Sequence, residues 1–108
     1  MKPIVFHILL VLMDGERHGY EIVKEVEQRT DDAIRIEPAN LYRTLRTMAT
    51  QELIEEVTRP SEDDSGDGRR RYFAVTDYGI QMAGEEAARL ESLVSAARSH
   101  KLLGGRRS

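Results

Sequence analysis

The sequence predicts a mainly α fold with a small β-hairpin and a long C-terminal helix. Three observations predict it. Short apolar stripes at helical spacing occupy residues 4–51. Two alternating segments then flank a polar tract at 60–68. Last, an unbroken apolar seam runs from Ile80 to Ala97.

The first helix rests on Val5, Ile8, Leu9 and Leu12, which recur at helical spacing. Asp14-Gly15 ends it, with Gly15 free to take a positive φ. A second helix is expected from His18 to Arg29, with Tyr20, Val23 and Val26 on its apolar face. Thr30-Asp31-Asp32 breaks it. Ile34-Arg35-Ile36 alternates apolar and basic residues and reads as a short strand. Pro38 opens a third helix, where its missing N–H costs nothing. Leu41, Leu45 and Met48 form the buried stripe of that helix, which ends near Gln51.

Residues 53–59 and 70–76 read as the two strands of a hairpin. The tract between them is too polar to bury a core. A final helix starts at Thr76-Asp77, either of which suits an N-cap. Ile80, Ala83, Ala87, Leu90, Val94 and Ala97 follow at spacings of 3, 4, 3, 4 and 3, a coiled-coil seam. About 25 helical residues extend ~37 Å, more than a compact domain of this size needs. Gly104-Gly105 is expected to stop the helix. Helix, helix, short strand, helix and hairpin is the order of a winged helix-turn-helix. The expected domains are therefore a winged helix-turn-helix at 1–76, a dimerisation helix at 77–103 and a flexible tail at 104–108.

Composition narrows the function classes. The chain has 108 residues, enough for one core, and a net charge of -3. The absence of cysteine excludes disulfides, thiolate zinc sites and a cysteine nucleophile, and fits a reducing, cytoplasmic setting. The longest apolar run, residues 8–13, is too short to span a bilayer, and no signal-peptide cleavage pattern follows it. His7, His18 and His100 are scattered without metal-ligand spacing. His18 suits a capping role, and His7 a packed structural one. No catalytic constellation emerges, so neither an enzyme nor a cofactor is expected.

The charge is unevenly placed. Residues 38–51 carry +2 and no acid. With Leu41, Leu45 and Met48 buried, the opposite face of the third helix presents Ala39, Arg43, Arg46, Thr47 and Thr50. Asn40 and Tyr42 lie on its flanks. Such a face offers guanidinium forks for guanine edges or phosphates and an amide for adenine. Arg69, Arg70 and Arg71 follow the hairpin tip and repel one another unless anions offset them. Those anions are either phosphates or the nearby Glu62, Asp63, Asp64 and Asp67. Strand alternation keeps all three arginines from facing one duplex. The expected DNA contacts are thus Asn40, Tyr42, Arg43, Thr44, Arg46 and Thr47, with one or two of Arg69, Arg70 and Arg71 on neighbouring backbone.

The seam of the last helix is expected to pair with a second copy, because exposed it invites aggregation. The natural partner surface is the first helix through Val5, Ile8, Leu9 and Leu12. The expected dimer interface joins these to Ile80, Ala83, Ala87, Leu90, Val94 and Ala97. A rival reading, from the net negative charge and the acidic hairpin tip, is a winged-helix module that binds protein and not DNA.

Five stretches together resemble the PadR-like family of bacterial transcriptional regulators. They are Phe6-His7-Ile8-Leu9-Leu10-Val11-Leu12, His18-Gly19-Tyr20-Glu21-Ile22, Pro38-Ala39-Asn40-Leu41-Tyr42-Arg43-Thr44-Leu45, Leu53-Ile54-Glu55-Glu56, and Arg69-Arg70-Arg71-Tyr72-Phe73-Ala74-Val75-Thr76 with Gly79 following. The length resembles the short subgroup with a single C-terminal dimerisation helix. The sequence departs from the family at Ala39-Asn40, where Gly-Thr is frequent. The resemblance implies a homodimeric repressor on a near-palindromic operator of double-stranded DNA. It also implies release by a small aromatic effector in some relatives, although this chain has no Trp to stack on one.

Overall fold

A computed structural model describes residues 1–60 and 69–103, apart from the side chains of residues 59, 60, 69 and 70. The tip acids Glu62, Asp63, Asp64 and Asp67 and the tail at 104–108 lie outside the described residues. The chain forms α1 (Pro3–Leu12), β1 (Arg17–His18), α2 (Gly19–Arg29), α3 (Pro38–Thr50), β2 (Ile54–Pro60), β3 (Arg69–Val75) and α4 (Asp77–Ser99).

Prolines at the first turns of α1 and α3 start both helices with φ already set. At the start of α2, His18 is the cap. Its Nδ1 accepts from the Glu21 N–H, and the Glu21 carboxylate accepts from the His18 N–H. Gly15 does turn the chain after α1, at φ 127°. The other three helices end on left-handed residues that are not glycine; after α2 these are Asp31 and Asp32, at φ 55° and 64°. After α3, Glu52 sits at φ 65°, and the Leu53 N–H reaches back to the Met48 carbonyl. After α4, Lys101 sits at φ 61°, and the Leu102 N–H reaches the Ala97 carbonyl. The last helix therefore stops at Ser99, before Gly104-Gly105, because this backbone cap closes it first.

The sheet is antiparallel in the order β1-β3-β2. The hairpin register runs from Ile54 opposite Val75 to Pro60 opposite Arg69. On the other edge, Arg17 pairs with Phe73 and His18 with Tyr72. The short strand thus lies before α2 and not at Ile34-Arg35-Ile36, which forms no strand. Ile34 and Ile36 are instead half-buried loop residues packed on the core. Their alternation reflects apolar anchoring of a loop, without a partner edge.

One core holds these elements: Ile8, Leu9, Val11 and Leu12 of α1; Ile22 and Val26 of α2; Leu41, Leu45 and Met48 of α3; Leu53, Ile54 and Phe73; and Ala83 of α4. Each large side chain buried here contributes about 1.5–3 kcal/mol. Two expectations change. Tyr20 lies outside the apolar face of α2, 67% exposed, and Ile22 fills the core position. Ile8, Leu9 and Leu12 are 0%, 0% and 2% exposed in their own chain, so they cannot form a surface for a second copy. Helical spacing shows that a face is buried but not what buries it. Val5 is half-buried. Ala83 packs into the same core, so the first turns of α4 belong to the body of the molecule. Further along, Ile80, Ala87 and Val94 are exposed, and Leu90 and Ala97 are half-buried.

Candidate nucleic-acid interface

Leu41, Leu45 and Met48 fasten α3 to the core, and this fixes what its outer face presents. Asn40, Tyr42, Arg43, Arg46, Thr47 and Thr50 are all exposed. Arg43 Nη1 donates to Asn40 Oδ1 at 3.1 Å, one turn back on the same face. That bond orients the guanidinium and leaves the Asn40 amide N–H groups for another acceptor. Thr47 Oγ1 donates to the Arg43 carbonyl at 3.1 Å, so its hydroxyl presents lone pairs outward. Among the described residues no carboxylate pairs with Arg43 or Arg46. Thr44 departs from the group: it is half-buried and turns toward α1.

Of the wing arginines, Arg71 joins this surface. Its guanidinium lies 5.7 Å from the Tyr42 ring centroid, within cation–π range. It also donates twice to Glu56, from Nε at 2.6 Å and Nη2 at 3.2 Å. The hydrogen bond from Arg71 holds the Glu56 carboxyl below the usual carboxylate range and raises the Arg71 guanidinium in turn. Arg69 and Arg70 lie in β3, and their side chains are outside the described residues. Glu56 was not legible as a site residue, because a surface glutamate on a strand carries no sequence signal. Register alone does not show it either, since Glu56 stands opposite Phe73 and Arg71 opposite Thr58.

Tyr42 is braced from below by Gly19. A Cβ at Gly19 would lie 2.5 Å from the Tyr42 hydroxyl oxygen, so any side chain there would push the Tyr42 ring out of this position. Around this contact sits a cluster that periodicity did not reveal. His18 stacks on Tyr20 at 6.5 Å, meets Tyr72 edge-on at 5.7 Å, and Lys24 Nζ lies 5.4 Å from the Tyr20 ring centroid. The signal that was available is position: Tyr20 falls in the first turn of α2, where a side chain need not face the core.

A half-open groove of about 570 Å³ lies between α1, α3 and α4, and Arg43 and Thr47 of the exposed α3 face line its edge. Val5, Met48, Leu53, Tyr78 and Met82 give it an apolar wall, and Lys2 and Arg43 bring cations to it. Among the described residues no group of three or more His, Cys, Asp or Glu side chains gathers to hold a metal ion. None of the described helices is long and apolar enough to cross a membrane.

Residues 8–85 match the family model of the transcriptional regulator PadR-like family. The chain belongs to the PadR-like family. An uncharacterised protein of Lysinibacillus sphaericus is 33% identical over 72 residues, 67% of this chain and 63% of that protein. The chain thus spans less than two thirds of the length of that curated relative. Solved structures carry the same fold. A PadR family transcription regulator from Clostridium difficile aligns at TM-score 0.79 and 21% identity, over 92% of this chain and 98% of that one. A transcriptional regulator from Clostridium thermocellum aligns at 0.75 and 23%, over 89% and 87%. Bacillus subtilis PadR, solved in complex with operator DNA, aligns at 0.69 and 20%, over 81% and 46%. The fold is a winged helix-turn-helix, with the β2–β3 hairpin as its wing.

Proposed function

We propose that this chain is a homodimeric transcriptional repressor of the cytoplasm that binds double-stranded DNA through α3. One observation carries the reading. In a chain of net charge -3, the exposed face of α3 holds two arginines and no acid, with Arg71 set against its flank. Arg43 reads a base edge or grips a phosphate, supported by Asn40, Arg46 and Thr47. Tyr42 and Arg71 meet the neighbouring backbone, together with Arg69 and Arg70 further along the wing. Bacillus subtilis PadR, which shares the fold and was solved with operator DNA, supports DNA as the partner.

Residues 1–76 serve as the DNA-binding unit and 77–103 as the dimerisation segment. The support for pairing is the apolar row that α4 leaves uncovered: Ile80 43%, Leu93 54% and Val94 42% exposed, followed by Leu102 at 74%. Apolar side chains left exposed over this length mark a surface for a partner. Two-fold pairing predicts a near-palindromic operator with half-sites about one helical turn apart, on the order of 10 bp. A small aromatic effector finds its best candidate site in the groove between α1, α3 and α4, whose volume suits such a ligand.

The test is binding to DNA from upstream of the coding region, measured across a salt series and followed by footprinting. Each neutralised phosphate adds about -0.9 to the slope of log K against log salt. A flat response with no binding at low salt returns the protein-binding reading. Light scattering on the same sample should give twice 12.3 kDa, and a monomer there removes the dimer.

A further inference from the structure

We propose that the groove between α1, α3 and α4 takes an alkyl carboxylate, and that this ligand competes with DNA for Arg43. The proposal rests on the reading of Arg43 as a DNA contact and of the groove as an effector site. It goes beyond both in the charge of the ligand, in its flexible body and in the way DNA is released.

The first observation is the charge of the lining. In a chain with 19 Asp+Glu against 16 Lys+Arg, the charged side chains that line this groove are Lys2 and Arg43, and no carboxylate lines it. A second groove, against β2, has the opposite character, with Glu52, Glu55, Glu56 and Asp77 in its lining. Lys2 and Arg43 are both exposed, and neither has a carboxylate partner among the described residues. The Met1 amine, by contrast, lies 3.9 Å from Glu86 Oε1 and is already offset. An anion entering the groove thus meets two open cations and no acid.

The second observation is the wall. Three of the chain's four methionines, Met1, Met48 and Met82, line the groove. Unbranched thioether side chains repack around flexible and irregular apolar bodies. Such a wall suits an alkyl chain, and a volume of about 570 Å³ accommodates one. Ile80, Leu93 and Val94, the row proposed for the dimer, do not line the groove, so pairing along that row does not use it.

The third observation is that Arg43 belongs to two surfaces. It stands exposed on the outer face of α3 and also lines the groove. Its Nη1 donates to Asn40 Oδ1 at 3.1 Å, which leaves one fork of N–H groups for an outside acceptor. A carboxylate in the groove and a phosphate or base edge on α3 ask for the same fork, so one excludes the other. Release by this route needs no movement of one copy against the other.

The experiment uses the full chain, decanoate as the probe and a duplex from upstream of the coding region. By calorimetry, decanoate should bind the DNA-free chain below its micelle-forming concentration. Lys2→Gln should weaken that binding about two- to fivefold and leave duplex affinity without ligand unchanged. Met82→Trp fills the groove and should abolish decanoate binding while the duplex still binds. An unchanged thermal midpoint shows that Met82→Trp folds; if it does not, Lys2→Gln, at an exposed position, carries the test. The apparent Kd for the duplex should rise in proportion to decanoate without levelling off. A plateau is the mark of release through a second conformation, because the effect is then capped by the coupling between sites, and it would overturn the competition. Release of DNA by 1-decanol as effective as by decanoate overturns the carboxylate, as does release that persists in a folded Met82→Trp. Tighter binding of 2-naphthoate than of decanoate overturns the alkyl chain. If the duplex binds but decanoate neither binds nor releases it, this proposal falls alone. If decanoate binds as described but no duplex binds, the DNA-binding reading falls and takes the competition with it.

Discussion

Glu56 holds Arg71 with two hydrogen bonds, 2.6 and 3.2 Å long, while the guanidinium lies over the ring of Tyr42. The wing thereby offers a cation to the flank of α3 and masks it with an acid. Side-chain exposures of 60% for Arg71 and 37% for Glu56 make the pair worth no more than about 1 kcal/mol. A phosphate competes for the same donors on nearly equal terms. Glu56→Gln should therefore raise affinity for any duplex by up to about fivefold and leave sequence preference unchanged, because the competitor is removed and no base contact is touched. Fluorescence anisotropy with operator and scrambled duplexes checks this. Weaker binding of both would mean that Glu56 serves to hold Arg71 in position.

The same pair sets a pH dependence. Arg71 lowers the Glu56 pKa in the folded state, chiefly through its hydrogen bond. A carboxyl depressed on folding contributes stability that is fully present above its unfolded value, about 4.3, and is lost as pH falls through the lower folded value. Wild type minus Glu56→Gln should therefore show a small, constant stability difference near neutrality, below about 1 kcal/mol, that shrinks only at pH below about 4. Denaturant melts of both proteins across pH measure it. A difference that grows on acidification would contradict the assigned partner.

On the exposed face of α3, Arg43 is oriented by a neighbour of its own helix, Asn40. Arg43→Ala should cost about 1–3 kcal/mol of operator affinity and relax preference at one base position if the fork reads a base edge. A uniform loss across sequences, with a salt slope smaller by about 1, would place it on a phosphate instead. Asn40→Ala leaves the charge in place but frees the fork. It should blunt sequence preference more than overall affinity.

Periodicity made α3 legible because Leu41, Leu45 and Met48 repeat at helical spacing on a helix with one wet face. The same rule found α1 and its apolar stripe, but the partner expected for that stripe was wrong: Ile8, Leu9 and Leu12 fill the molecule's own core instead of meeting a second copy. Strand alternation found the hairpin, yet it also favoured Ile34–Ile36 over Arg17–His18. A two-residue strand shows no alternation, and β1 exists only because the edge of β3 accepts it. The pairings that shape the candidate interface lay furthest from view. Arg71 with Glu56 and Tyr42 with Gly19 join residues 15 and 23 positions apart, and they depend on how α2, α3 and the wing are stacked.

Gly79 and Gly84 give opposite expectations within one helix. At Gly79, in the first turn of α4, a Cβ would lie 2.1 Å from the Leu53 carbonyl oxygen and 2.9 Å from Val75 Cγ2. That carbonyl is fixed from two sides, because it accepts from the Thr76 N–H at 3.1 Å and from Thr76 Oγ1 at 3.1 Å. Thr76 Oγ1 in turn accepts from the Gly79 N–H at 2.9 Å, which caps the helix. The backbone oxygen cannot retreat without breaking the joint between the wing and α4. Gly79→Ala should therefore cost about 3 kcal/mol or more, at the upper end of overpacking. At Gly84 no atom lies within 4 Å of the added methyl, and the site is exposed in mid-helix. Gly84→Ala should stabilise by about 0.5–1 kcal/mol through helix propensity alone. Thermal melts of the two variants at equal protein concentration test the pair. A neutral Gly79→Ala would show that α4 can shift away from Leu53, and with it that the seam of α4 is not held in register with the winged-helix body.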